Sequence, residues 1–180
     1  KHLIVLATAD RGLCGGFNAN LVRQARILVS ELQGQGKDIE VIFIGRKGRD
    51  ALRRELGSMT GETVEGIGRK AVAFEEADGI ADRLRERFDA GDFDVCHLIY
   101  AKFQSAISNI VTVQQLIPAP IPDAGDANAE DLGGAVYEYE PSEEEILNDL
   151  LPRNISVQIY RSLLENAASE HGARMAAMDN

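Results

Sequence analysis

Residues 8–22, T-A-D-R-G-L-C-G-G-F-N-A-N-L-V, follow the apolar run H-L-I-V-L-A and pose a chemical question. A glycine-rich turn between a strand and a helix is where backbone N–H groups gather around phosphate. The order here is Gly12, Gly15, Gly16, a G-x-x-G-G pattern. A Walker loop needs Lys and then Ser or Thr after its last glycine, to reach phosphate and metal, whereas Phe17 and Asn18 follow here. A dinucleotide turn needs G-x-G-x-x-G and an acid closing the second strand for the ribose hydroxyls, yet that strand ends in Gly45, Arg46 and Lys47. Arg46 would suit a 2′-phosphate, which keeps an NADP-binding α/β enzyme as a rival reading. The plainer use of such glycines is positive φ and close approach of backbone to another surface. No cofactor is therefore expected.

Other chemistries have weaker signals. His2, His97 and His171 are far apart, none belongs to an H-E-x-x-H motif, and Cys96 and His97 point to opposite faces of a strand, so neither a metal centre nor a catalytic site is expected. Cys96 lies in the apolar stretch F-D-V-C-H-L-I-Y-A-K-F and reads as a buried small hydrophobe, while Cys14 lies in the glycine loop and reads as reachable. Two cysteines fit a reducing compartment better than a disulfide framework. The basic stretch R-K-G-R-D-A-L-R-R-E lacks interleaved aromatics and sits in an acidic chain, so it reads as a solvated helix face and no nucleic-acid partner is expected.

The elements that position these residues follow from periodicity. Residues 2–7, 38–45 and 93–103 are short, β-branched and too apolar for half-exposed strands, so they read as buried strands. Between them lie helical patterns: N-A-N-L-V-R-Q-A-R-I-L-V-S-E-L-Q-G-Q-G, with Leu21, Ala25, Leu28 and Leu32 on one face and Gly34 and Gly36 as stops; R-K-G-R-D-A-L-R-R-E-L; and A-F-E-E-A-D-G-I-A-D-R-L-R-E-R-F. Alternating strand and helix implies a doubly wound, mostly parallel α/β sheet, Rossmann-like, occupying residues 1–141. A further strand, N-I-V-T-V-Q-Q-L-I-P, precedes a Pro-, Gly- and acid-rich loop; A-V-Y-E-Y-E-P then resumes as a short strand, and Ser142 with Glu145 forms a capping box for a helix over 142–180. Ile155, Ile159, Tyr160, Leu163, Leu164, Ala167 and Ala168 make an apolar stripe that runs on through Met175 and Met178. Such a helix is longer than a compact domain needs, so it is expected to project and to require a partner helix. A free-standing interaction module, with the helix folded back on its own sheet, is the other rival.

Composition bounds these readings. The chain has 180 residues, 44% hydrophobic and 27% charged, which is ordinary for a soluble globular protein, with no window resembling a membrane span. Its net charge of −10 is localised: ten acids and no Lys or Arg lie between Phe103 and Pro152, while elsewhere 19 acids balance 19 bases. One end is strongly negative and suits a partner offering cations, or is a solvated acidic loop and helix start.

The segment T-A-D-R-G-L-C-G-G-F-N-A-N-L-V-R closely resembles the S-D-R-G-L-C-G-G-x-N segment of the gamma subunit of F-type ATP synthases, the central rotor shaft. Y-E-Y-E-P-S-E-E-E-I-L-N-D-L-L-P-R and V-Q-I-Y-R-S-L-L-E-N-A-A-S-E-H-G-A-R-M-A-A-M-D-N resemble the same family. The resemblance implies an antiparallel coiled coil of N- and C-terminal helices beside an α/β domain, of which this chain lacks the first helix and the end of the second. It implies no catalytic residue, and torque carried between a proton-driven c ring and the catalytic beta subunits. It places Asp10, Arg11, Gly12, Leu13, Cys14, Gly15 and Gly16 near the alpha/beta ring, and Tyr137, Glu138, Tyr139 and Glu140 at the foot, near epsilon and the c ring. The implied location is peripheral, on the cytoplasmic face of a bacterial inner membrane or the matrix side of the mitochondrial one.

Overall fold

A computed structural model describes residues 1–105, 107–119 and 143–179, without the side chains of 143–149. Its elements are β1 (His2–Ala7), α1 (Phe17–Gly34), β2 (Ile39–Ile44), α2 (Arg46–Leu56), β3 (Thr60–Val64), α3 (Phe74–Asp89), β4 (Val95–Ser105), β5 (Ser108–Ile117) and α4 (Glu143–Asp179). The sheet order is β3-β2-β1-β4-β5, with β1 parallel to both neighbours and only β5 antiparallel. This is the doubly wound arrangement read from the sequence. The strand absent from that reading is β3: T-G-E-T-V is short, polar and glycine-containing, pairs on one side only and shifts register against β2. An edge strand carries little of the apolar signal that marks a central one.

Side-chain alternation divides the core into two layers. Leu3, Val5, Leu98 and Tyr100 face α3 and α4; Ile4, Leu6, Ile99 and Ala101 face α1 and α2. The two glycines beyond Gln33 stop α1 by a specific geometry. Gly36 has φ +70, and the Lys37 and Gly36 N–H groups return to the carbonyls of Leu32 and Gln33, satisfying the last turn.

The fate of α4 differs from the sequence expectation. Its 37 residues span about 55 Å at 1.5 Å per residue, yet Ile159 and Leu163 are buried in the same cluster as Leu98 and Ala81, so the helix lies on the sheet and against α3 instead of projecting free of them. Burying this face supplies the stabilisation that an isolated long helix lacks. The segment A-V-Y-E-Y-E-P, expected as a strand, and the Ser142 cap lie outside the described residues.

Candidate functional site

The glycine loop joins the end of β1 to the start of α1, and its seven residues divide into two sets. Asp10 and Cys14 turn inward. The Asp10 carboxylate accepts the N–H of Arg46 at 3.1 Å and of Gly66 at 2.8 Å, tying the loop to the start of α2 and to the segment after β3. Cys14 is 2% exposed, with Phe17 and Leu21 in its cluster, and its Sγ accepts from Asn18 Nδ2 at 3.0 Å. The expectation of a reachable Cys14 is thus corrected. Burial first, and then the Glu170 carboxylate, push its thiol pKa above the ordinary value. Burial pushes Cys96 further, up to about 12.

The second set faces outward. Arg11 is exposed beside Leu13, which is 78% exposed and holds φ +61, the one positive φ among non-glycine residues described. A left-handed leucine is held against its own preference by the structure around it, and strain of this kind concentrates at functional loops. Gly15 has φ +53, and a Cβ placed there would lie 3.8 Å from the Ala177 Cβ, so the loop reaches the far end of α4. Ala173 packs on the same cluster as Cys14. Loop and long helix are therefore one surface, a union that sequence separation concealed.

The strand ends beside the loop are tied to each other within the chain, while the start of α1 carries no side-chain cap. Thr8 Oγ1 accepts the Gly48 N–H at 2.8 Å and donates to the Ile44 carbonyl, while a Cβ at Gly45 would sit 2.1 Å from the Thr8 carbonyl oxygen. The ends of β1 and β2 are in contact, and the Asp10 carboxylate occupies the first N–H of α2, the kind of donor to which anions bind. A cavity of about 200 Å3 remains between these strand ends and α4, lined by Thr8, Arg69, Asn166 and His171 among others.

Two features escaped the sequence reading. His2 Nδ1 lies 3.3 Å from His97 Nε2, with ring centres 5.5 Å apart and planes 11° apart. Those distances put both nitrogens between the ring centres, so the rings meet edge to edge through one N–H···N hydrogen bond. Burial lowers both imidazole pKa values. The second feature is the outer face of α4. Leu150, Val157, Leu164 and Met178 are exposed at spacings of seven or fourteen residues, with the exposed His171 at the heptad position between the last two. A seven-residue apolar spacing matches one of the two apolar positions of a coiled-coil heptad. Only Leu164 and Met178 of this set stood out in the sequence, because periodicity does not reveal which apolar positions the sheet will cover. Tyr137, Glu138, Tyr139 and Glu140 lie outside the described residues.

The fold is a doubly wound α/β body with a long helix that bears a second, uncovered apolar strip. A family model described as ATP synthase matches residues 1–180, and the chain belongs to that family. It is 54% identical over 180 residues to the ATP synthase gamma chain of Parvibaculum lavamentivorans and 52% identical over 183 residues to that of Rhodospirillum rubrum, in each case across 99% of this chain. The chain spans about 60% of the length of these relatives. Among solved structures, it matches a chain of the Tetrahymena thermophila mitochondrial ATP synthase central stalk and c ring with a TM-score of 0.75 and 29% identity, over 100% of this chain and 75% of that one. A Euglena gracilis mitochondrial ATP synthase rotor chain shares the fold at a TM-score of 0.70 and 22% identity, over 99% of this chain and 65% of that one.

Proposed function

We propose that this chain is the lower part of the central-stalk rotor subunit of a proton-translocating ATP synthase. It turns with the membrane c ring and drives conformational cycling of the catalytic beta subunits. It carries no catalytic site of its own. The observation that carries the reading is the exposed apolar strip of α4, Leu150, Val157, Leu164 and Met178, which the sheet leaves uncovered. That strip fits an antiparallel partner helix supplied by the full-length subunit. Residues 1–141 form the α/β body and 142–180 the start of the coiled-coil helix.

The exposed part of the glycine loop supports an alpha/beta-ring contact, because Arg11 and Leu13 combine a charge with an apolar side chain held outward. Tyr137, Glu138, Tyr139 and Glu140 are assigned to epsilon and the c ring on family resemblance. Coupling then needs only that an asymmetric rotor contact the three catalytic sites differently, since differential contact is what shifts their equilibria. The subunit is peripheral to the membrane through the complex, on the cytoplasmic face in a bacterium or the matrix side in a mitochondrion.

The test is rotation. The full-length subunit is assembled with alpha and beta, the ring is immobilised, and a probe is attached through Ser58→Cys, at an exposed position on the body. ATP should drive the probe in one direction. A still probe during ATP hydrolysis would overturn the reading, as would a stoichiometric micromolar nucleotide site found by calorimetry on the purified chain.

A further inference from the structure

The docked face of α4 carries more than apolar side chains. Ser156, Ser162, Asn166 and Ser169 are buried alongside Ile159 and Leu163. Hydrophobic contact is non-directional and sets the angle of the helix less sharply than a hydrogen bond does. A buried polar group must instead meet a partner at a set place, which makes it a device for register. Ser162 is satisfied within the helix, by donating to the Gln158 carbonyl, and sets nothing. The other three reach across: Ser156 Oγ donates to Asp78 Oδ1 on α3 at 2.7 Å, Asn166 Oδ1 accepts the Ala101 N–H at 3.0 Å, and Ser169 Oγ donates to the Ala101 carbonyl at 3.1 Å.

Ala101 is a particular place in the sheet. The pairing of β4 with β1 ends at Ile99, opposite Leu6, while β4 itself runs on to Ser105. Two residues past that end, both main-chain groups of Ala101 are taken by helix side chains in place of a strand. Asn166 and Ser169 are one turn apart, on one face. Shifting α4 by a residue, 1.5 Å along its axis and 100° around it, would break both bonds and leave a fully buried N–H and C=O unpaired.

Resting on the rotor reading above, we propose that Asn166 and Ser169 are positioning residues that lock the angular register of α4 on the sheet, forming the joint through which torque passes between the long helix and the α/β body. Partners that grip the outer seam of α4 and partners that grip the body pull on opposite sides of this contact. Two directional bonds held off the helix axis add resistance to twisting beyond that of the apolar stripe.

The experiment uses the complete ATP synthase with the full-length subunit, either unaltered or carrying Asn166→Leu with Ser169→Ala. Hydrogen exchange of the Ala101 amide reads the clasp. The thermal angular spread of a probe on the body, with the alpha/beta ring held, reads rotor stiffness. The double variant should exchange Ala101 about tenfold faster, with a broader angular spread and unchanged ATP hydrolysis. Asn166→Asp, which keeps an acceptor for the Ala101 N–H and leaves Ser169 in place, should restore the narrow spread. Unchanged Ala101 exchange overturns the clasp, and faster exchange with an unaltered spread overturns the torque role. Should the double variant fail to assemble, Ser169→Ala alone must give an intermediate spread, and a wild-type spread there overturns the proposal. An unaltered body that does not turn under ATP defeats the rotor reading, and the torque role with it, while Ala101 exchange still reports the clasp.

Discussion

The two long faces of α4 are built from similar residues and meet opposite fates. One buries Ile159 and Leu163 among the side chains of β4 and α3; the other leaves Leu150, Val157, Leu164 and Met178 in the open. Adjacent residues show the contrast best: Leu163 is 3% exposed and Leu164 42%. Apolar character along a helix therefore does not say where it is used. The inner face is committed to this chain's own sheet, and the outer face is left uncovered.

Substitutions at that adjacent pair should give the largest difference. Leu163→Ala opens a cavity under the helix and should destabilise the chain by about 2–5 kcal/mol. Leu164→Ala should stay within about 0.5 kcal/mol. Urea titrations of both variants check this, and equal losses would show that the two faces are not distinct. Next in size, Leu164→Glu should destabilise the full-length subunit by about 1 kcal/mol or more, with the isolated chain's unfolding midpoint unmoved.

Acid should act on another part of the molecule, the His2–His97 pair on the α1 side of the sheet. Burial holds the His97 pKa below its ordinary 6.5. The unfolded chain therefore takes up the proton first, so stability is full above pH 6.5 and falls as the pH drops from 6.5 toward the folded-state value. A stability–pH profile of the chain and of His97→Gln checks this: the variant should lose that part of the slope. The smallest effect is in thiol labelling. Cys14 should react slowly, because burial restricts access and raises its pKa, but still faster than Cys96. Unfolding should bring the two rates together.

The strands other than β3, the four helices and the doubly wound order were legible because β-branched runs and helical spacing depend on local sequence alone. What was not legible depended on tertiary placement. β3 is held by one neighbour, and its five residues carry no pattern of their own. Cys14 reads as a loop residue, yet the turn of Leu13 at positive φ drives it under α1, where Asn18 meets it. Asp10 reads as part of an outward loop, but two backbone N–H groups from distant segments draw it inward. The docking of α4 was hidden because a stripe of Ile155, Ile159 and Leu163 is the same whether a sheet or a partner helix covers it.

The most direct measurement of the account is hydroxyl-radical footprinting of α4 in the isolated chain and in the assembled ATP synthase. Leu164, Met175 and Met178 should be oxidised readily in the isolated chain, and Leu164 and Met178 should become protected on assembly. Ile159 and Leu163 should be protected in both. Oxidation of Leu164 and Met178 that is the same in the complex as in the free chain would contradict a partner helix on the outer seam, and with it the observation on which the rotor reading stands.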